Sequence, residues 1–256
     1  MKALLAISLD SYKKLYRDKV FIPAVTIAIL MMIAAIIISD FGVLEVYKYI
    51  YDLGSSSYLL IGCLTGIFWG ANLVADARND GSMETQLSAP ISRSTWILGK
   101  FIGLFLVKIL LSVILICFWQ LLFISLDYGN FTTSSLLAFV SLSLCWLTMD
   151  AVTILFSVIS SKSVALFSSF SLFLIGLMTG PIYQTLSPKT DPFTRQMVAN
   201  FTGLWDLSYF NLSTYLIKDE VISYSIFLPR LYYALAIILA CMSLSIIIFS
   251  SSDLQK

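Results

Sequence analysis

Six apolar stretches of membrane-spanning length run through this chain, at about Val20 to Ser39, Ser57 to Ala75, Phe101 to Ser125, Ser135 to Ile159, Val164 to Pro181 and Leu231 to Ser250. At about 1.5 Å of rise per residue, about 20 residues cover a hydrocarbon core about 30 Å thick. Inside that core a segment has to satisfy its own backbone N–H and C=O groups, which an α-helix does within one segment. A soluble fold is excluded by quantity. Of the 256 residues, 59% are hydrophobic and 12% charged, and the mean hydropathy is +0.90. That is more apolar surface than one core of this size can hide. The expected fold is an all-α polytopic membrane protein: six transmembrane helices in a single transmembrane domain over residues 1–256.

Six spans place both termini on one side. Lys2, Lys13, Lys14, Arg17, Lys19, Arg78, Arg93, Lys100, Lys162 and Lys256 fall on that side, against Lys48, Lys189, Arg195, Lys218 and Arg230 on the other. Basic residues close to span ends mark the cytoplasmic face, so both termini are predicted to be cytoplasmic. Four of the five opposing residues belong to one long loop, where the rule discriminates less. Met1 to Ser8 is too short an apolar run for a cleavable signal and is followed by Asp10, Lys13, Lys14, Arg17 and Lys19. The first helix is expected to stay in place.

Within residues 1–19, Leu5, Leu9, Tyr12 and Tyr16 recur at helical spacing while Lys13, Lys14 and Arg17 supply basic positions that membrane headgroups would hold. This predicts an interfacial helix; the alternative is a basic tail that only fixes topology. Gly62, Gly66 and Gly70 line one face of the second span, a seam for close helix packing either within the chain or against a second subunit. The external loop over residues 182–230 is rich in aromatic side chains, among them Phe193, Phe201, Trp205, Tyr209 and Tyr224, and the Gly180-Pro181 step before it is expected to end the fifth span. Its composition predicts short helices dipping into or lying on the outer leaflet, as a lid over an exit or as an interface anchor. The four cysteines fall in apolar runs with no Cys-x-x-Cys pair, so they are expected to be buried small hydrophobes without a disulfide.

The densest polar stretch on the predicted cytoplasmic side is the loop over residues 76–100. Asp80 and Gly81 can start a short helix, Met83 and Leu87 share one side of it, and Ala89-Pro90 stops it before Ser92 or Ser94 caps the next helix. The residues alone also allow an amphipathic stretch resting on lipid headgroups.

In the order of these pieces the sequence resembles the permease subunits of type-2 ABC exporters, which show an acidic residue after a glycine, then proline with serine and arginine, then glycine-lysine opening the third span. Here the pieces are Gly81, Glu84, Pro90-Ile-Ser-Arg93 and Gly99-Lys100. With six spans and an N-terminal interfacial helix, the resemblance covers nearly the whole chain and is nearest to the subset associated with copper-enzyme maturation and gliding. It implies a multi-pass protein of a bacterial inner (cytoplasmic) membrane. It also implies that the loop forms a coupling helix: Gly81, Ser82, Met83, Glu84, Leu87, Pro90 and Arg93 would meet the ATP-binding subunit. Arg93 and Lys100 would anchor the loop at the headgroups beside Lys13, Lys14 and Arg17. The implied partners are two ABC ATPase subunits, a second permease copy or paralogue, membrane lipids and a periplasmic or outer-envelope protein, with no nucleic acid. No cofactor is expected in this chain, since ATP and magnesium would sit on the partner subunits: no Gly-x-x-x-x-Gly-Lys-[Ser/Thr] phosphate loop occurs in it. The alternative is a non-transporting membrane scaffold through which the ATPase pulls on or gates an envelope partner.

Two charges fall inside spans. Lys108 lies about 10 Å and Asp150 about 13 Å from the predicted cytoplasmic surface, at about 1.5 Å per residue. An unpaired charge at such depth costs at least about 2–3 kcal/mol, so the two are predicted to face each other or share a polar cavity. The alternative is a snorkelling Lys108 with Asp150 protonated or bonded to a hydroxyl. Asn72 is expected at the interface or on a pathway. The chain has no His, which removes imidazole ligation and the usual general base, and it carries neither a Gly-x-Ser-x-Gly elbow nor a zinc motif. An enzyme is not expected.

Overall fold

A computed structural model describes residues 2–40, 46–88, 91–126, 131–185, 191–218 and 220–251. The described residues form ten α-helices: α1 (Lys2–Tyr16), α2 (Phe21–Asp40), α3 (Val46–Asn79), α4 (Ser82–Leu87), α5 (Arg93–Ser125), α6 (Thr133–Ile159), α7 (Lys162–Thr185), α8 (Pro192–Leu204), α9 (Ser213–Ile217) and α10 (Tyr224–Ser251). A single 3₁₀ turn (Ser208–Phe210) lies between α8 and α9. Five helical segments, Ile50–Asn79, Arg93–Ser125, Thr133–Ile159, Lys162–Tyr183 and Tyr224–Ser251, are long and apolar enough to cross a membrane. The first expected span corresponds to α2, whose apolar stretch Ile22–Ile37 is shorter than the other five.

The centre of the bundle is the pair α3 and α6, because the glycine seam of α3 lets the two backbones approach closely. A Cβ on Gly62 would fall 1.7 Å from the Trp146 ring, one on Gly66 2.0 Å from Asp150 Oδ1, and one on Gly70 3.0 Å from Thr153. The seam therefore serves packing within the chain, and α6 fills it. Further helices pack around this pair: α7 against both, α10 along α6, α2 on α3, and α1 across the first half of α5.

The apolar run of the third span begins at Phe101, and its helix α5 begins earlier, at Arg93, on one of the two serine caps expected: the Ser92 side chain accepts the Thr95 N–H. The loop over residues 76–100 is consequently mostly helix. The Gly180-Pro181 step does not end α7, which continues to Thr185. Proline removes only one ladder bond in the last turns of a helix, and Gly180 has a different use: a Cβ there would meet the Ser208 hydroxyl at 2.1 Å. Cys117 is exposed on α5 rather than buried, whereas Cys63 and Cys145 are buried, with sulfurs 3.9 Å apart.

Candidate functional site

One end of the bundle gathers the residues of the polar loop. Gly81 stands at φ 66, in the left-handed region that glycine enters freely, and turns the chain from α3 into α4. Thr85 N–H donates to the Gly81 carbonyl at 3.2 Å to open the short helix. Met83 is buried and roots α4 in the core, Ser82 is half-buried, and Glu84 faces outward and is exposed. A carboxylate in the first turn suits the positive end of the helix dipole. Leu87 closes α4, while Pro90 lies outside the described residues.

Around α4 the other elements are tied by named bonds. Gln86 donates to Asp10 Oδ2 of α1 at 3.3 Å and accepts from the Trp96 indole of α5 at 2.7 Å. Lys14 lies 3.7 Å from Asp80, and Lys162 pairs with Asp76 at 3.0 Å. Arg93 does not reach outward. Its Nη1 donates to the carbonyls of Phe249 and Ser250, both at 3.0 Å, in the last turn of α10. A cation is favoured at the C-terminal end of a helix. Lys100 also turns inward: it is 2% exposed, and its ammonium sits 5.2 Å from the centre of the Trp96 ring. Covered by α1, it takes a cation–π contact in place of headgroups. Lys13, Lys14 and Arg17 remain exposed, as do Leu5, Leu9 and Tyr16. The opposite face of α1, with Ile7, Ser8 and Ser11, packs onto Gly99 and Gly103, where a Cβ would come within 2.7 and 2.5 Å of α1 side chains.

The two intramembrane charges meet in the core. Lys108 Nζ is 3.7 Å from Asp150 Oδ1, with side chains 3% and 0% exposed. The same ammonium donates to the Gly62 carbonyl and to Thr65 Oγ1, and lies 5.5 and 5.3 Å from the ring centres of Trp69 and Trp146. Among the described residues neither Asp150 oxygen has a hydrogen-bond partner within normal distance, and Lys108 is their charge partner. Next to this pair, the Tyr58 hydroxyl bonds Ser112 and Ser143 at 2.6 Å each, and its ring stacks on Trp146. Helices α3, α5 and α6 are thus joined by polar contacts at two levels. Thr65, Trp146, Tyr58 and Gln86 were missed from sequence because hydroxyl and aromatic residues are scattered through every span. The spacing of Gly99 and Gly103 was the legible clue to the α1 contact. Asn72 Oδ1 is buried without a hydrogen-bond partner among the described residues.

At the other end, the segment after α7 folds back. Met197, Val198 and Phe201 of α8 face Leu174, Ile175 and Met178 of α7 across an open apolar cleft of about 520 Å³. The Trp205 indole donates to the Leu172 carbonyl, and Leu207 N–H to the Gly176 carbonyl. So α8 runs antiparallel down α7 to a level about 20 Å below Thr185, at about 1.5 Å per residue. Two contacts fasten its far end to α10: the Tyr233 hydroxyl donates to the Leu204 carbonyl at 3.0 Å, and Arg230 Nε donates to the Tyr209 carbonyl at 2.8 Å.

Long apolar helices, a small helix at one end and a segment folded back into the other define a multi-pass helical membrane protein. The model of the ABC-2 family transporter protein family matches residues 5–254, and the chain belongs to that family. It is an ABC-2-type permease, a transmembrane component of an ABC transporter rather than a catalyst in itself. Permeases of this family work with ABC ATPase subunits. Among curated proteins nothing matches the chain.

Proposed function

We propose that the chain is one permease subunit of an ATP-driven exporter of a bacterial inner membrane, and that α4 is where the motor grips it. A second copy or paralogue completes the pathway, and two ATPase subunits, carrying ATP and magnesium, bind on the cytoplasmic side. The α4 end is the cytoplasmic end, and α2 makes the sixth crossing, so that both termini are cytoplasmic. Residues 182–230 form the outer segment. The observation that carries this reading is the geometry of α4: a helix rooted by buried Met83 while Glu84 stands exposed at the bundle end. Its neighbours in α1 and α5 are bonded to it through Gln86. A displacement of α4 therefore reaches two other helices at once.

The test is purification of the affinity-tagged chain from its own host membranes in mild detergent. The wild-type chain is expected to bring down an ATPase in stoichiometric amount, and a chain with residues 82–87 scrambled is expected to lose it while remaining monodisperse. Full retention of the ATPase by the scrambled chain would remove α4 from the docking site.

A further inference from the structure

The two ends of α10 are gripped by different parts of the molecule. At the C-terminal end Arg93 holds the Phe249 and Ser250 carbonyls, and Trp96 stacks on Phe249 with ring centres 5.3 Å apart and planes 18° from parallel. Trp96 is itself bonded to Gln86 of α4. At the other end Arg230 and Tyr233 hold the outer segment: Arg230 through the Tyr209 carbonyl and a guanidinium 4.4 Å from the Tyr209 ring centre, Tyr233 through the Leu204 carbonyl and the Asp206 N–H. We propose that α10 is a rod carrying motion from α4 to the outer segment, with Arg93 and Trp96 as its inner grip and Arg230 and Tyr233 as its outer grip. The proposal rests on the reading that α4 receives the ATPase.

Two properties of the stretch between the grips fit a rod. It holds neither glycine nor proline from Arg230 to Ser251; the one proline of α10, Pro229, lies beyond the outer grip. A helix of that kind is stiff along its axis, and the distance from Tyr233 to Phe249 is about 24 Å at about 1.5 Å per residue. The middle packs along α6 through apolar side chains rather than polar bonds. Ala234, Met242 and Ser245 are buried there, and among the described residues no hydrogen bond or ion pair links residues 234–248 to another helix. Contrast α3, α5 and α6, which are pinned to one another by the Lys108 and Tyr58 contacts. Polar bonds at both ends with only apolar contact between them let a shift of α10 along α6 break no hydrogen bond in the middle of the helix. The outer grip sits where α8 turns: α8 buries no residue of its own, and its far end is held by α10 on one side and, through Trp205 and Leu207, by α7 on the other.

Hydrogen exchange measured by mass spectrometry on the purified permease–ATPase complex, with and without ATP and vanadate, reads both ends in one experiment. In the wild-type complex, nucleotide is expected to change exchange in residues 82–88 and in residues 200–210. In Arg93→Gln the change at 82–88 is expected to persist, with the ATPase still bound, while the change at 200–210 is lost. Tyr233→Phe, which removes one hydroxyl, tests the rod from its other end: the response is expected to survive in residues 246–251 and to be lost at 200–210. A full response at 200–210 in either variant overturns the rod. Loss of the ATPase from Arg93→Gln would assign Arg93 to docking and likewise overturn it. A wild-type chain that binds no ATPase removes the docking reading itself, a failure seen before any variant is made.

Discussion

Lys108 and Asp150 show how one buried ion pair can be lopsided. The ammonium has a carbonyl, a hydroxyl and two indole faces besides the carboxylate, whereas neither carboxylate oxygen has a hydrogen bond. Removing one member of a buried pair costs about 3–5 kcal/mol, chiefly because the survivor is left uncompensated, while replacing both with apolar groups is often neutral. The survivors here are unequal. Lys108→Met strands Asp150 completely and is expected to lower the melting temperature of the detergent-purified permease well below that of Asp150→Asn, which leaves Lys108 its other partners. The double variant Lys108→Met/Asp150→Leu is expected to recover most of the loss. A charge swap is expected to recover nothing, since a carboxylate at position 108 would face the Gly62 carbonyl. Equal losses in the two single variants would mean that the carbonyl, Thr65 and the indoles contribute little to holding the ammonium. The meeting of these two residues was legible in the sequence, because both lie at similar depth from one surface. The extra donors and acceptors were not, as nothing in a span marks which threonine or tryptophan turns inward.

At the scale of elements, the contact between α1 and α5 is the instructive one. Of the stripe Leu5, Leu9, Tyr12 and Tyr16 that predicted an interfacial helix, all but the half-buried Tyr12 are exposed, and the packing face is a second one, Ile7, Ser8, Ser11 and Leu15, with Ile7 against Gly99 and the serines against Gly103. Amphipathic spacing exposes the larger stripe to a reader, while the smaller face, with two serines between Ile7 and Leu15, resembles mixed surface. The same limit applies to the polar loop. Its short helix, its glycine start and its serine cap were legible because each has a local cause. The inward turn of Arg93 was not, because its partners are the carbonyls of a helix 156 residues later. Gly103→Leu is expected to lift α1 from α5, since even a Cβ would come within 2.5 Å of Ser11. Such overpacking costs about 1–3 kcal/mol. Limited trypsin digestion checks it: Lys13, Lys14 and Arg17 are expected to become cleaved several-fold faster in the variant, with the remaining helices protected. An unchanged digestion rate would mean that α1 is held by its bonds to Gln86 and Asp80 rather than by packing.

For the whole molecule, the proposed six crossings rest on which residues share an end. Asp10 and Lys14 of α1 touch α4 and the residues just before it. At the start of α3, Tyr51 meets Ser135 and Asp52 meets Ser213, which belong to the opposite end with α9. Between residues 17 and 46 the chain therefore has to travel the length of the bundle, and α2, with 20 residues, covers about 30 Å. That geometry favours a sixth crossing even though the apolar part of α2 is the shortest. The sequence shows the same segment as apolar from Val20 to Ser39, so pattern and geometry converge while a threshold of length alone stops at five. Impermeant maleimide labelling of single cysteines decides the matter, on a chain whose native cysteines are replaced by alanine. Cysteines placed at exposed Lys13, Ser88 and Ser251 are expected to react only in inside-out vesicles, and one at exposed Lys218 only in right-side-out vesicles. If Lys13 instead labels with Lys218, α2 does not cross and α1 cannot lie against α4. If all four react from the sides opposite to those expected, the crossings stand but the bundle is inverted, and α4 could not meet a cytoplasmic ATPase.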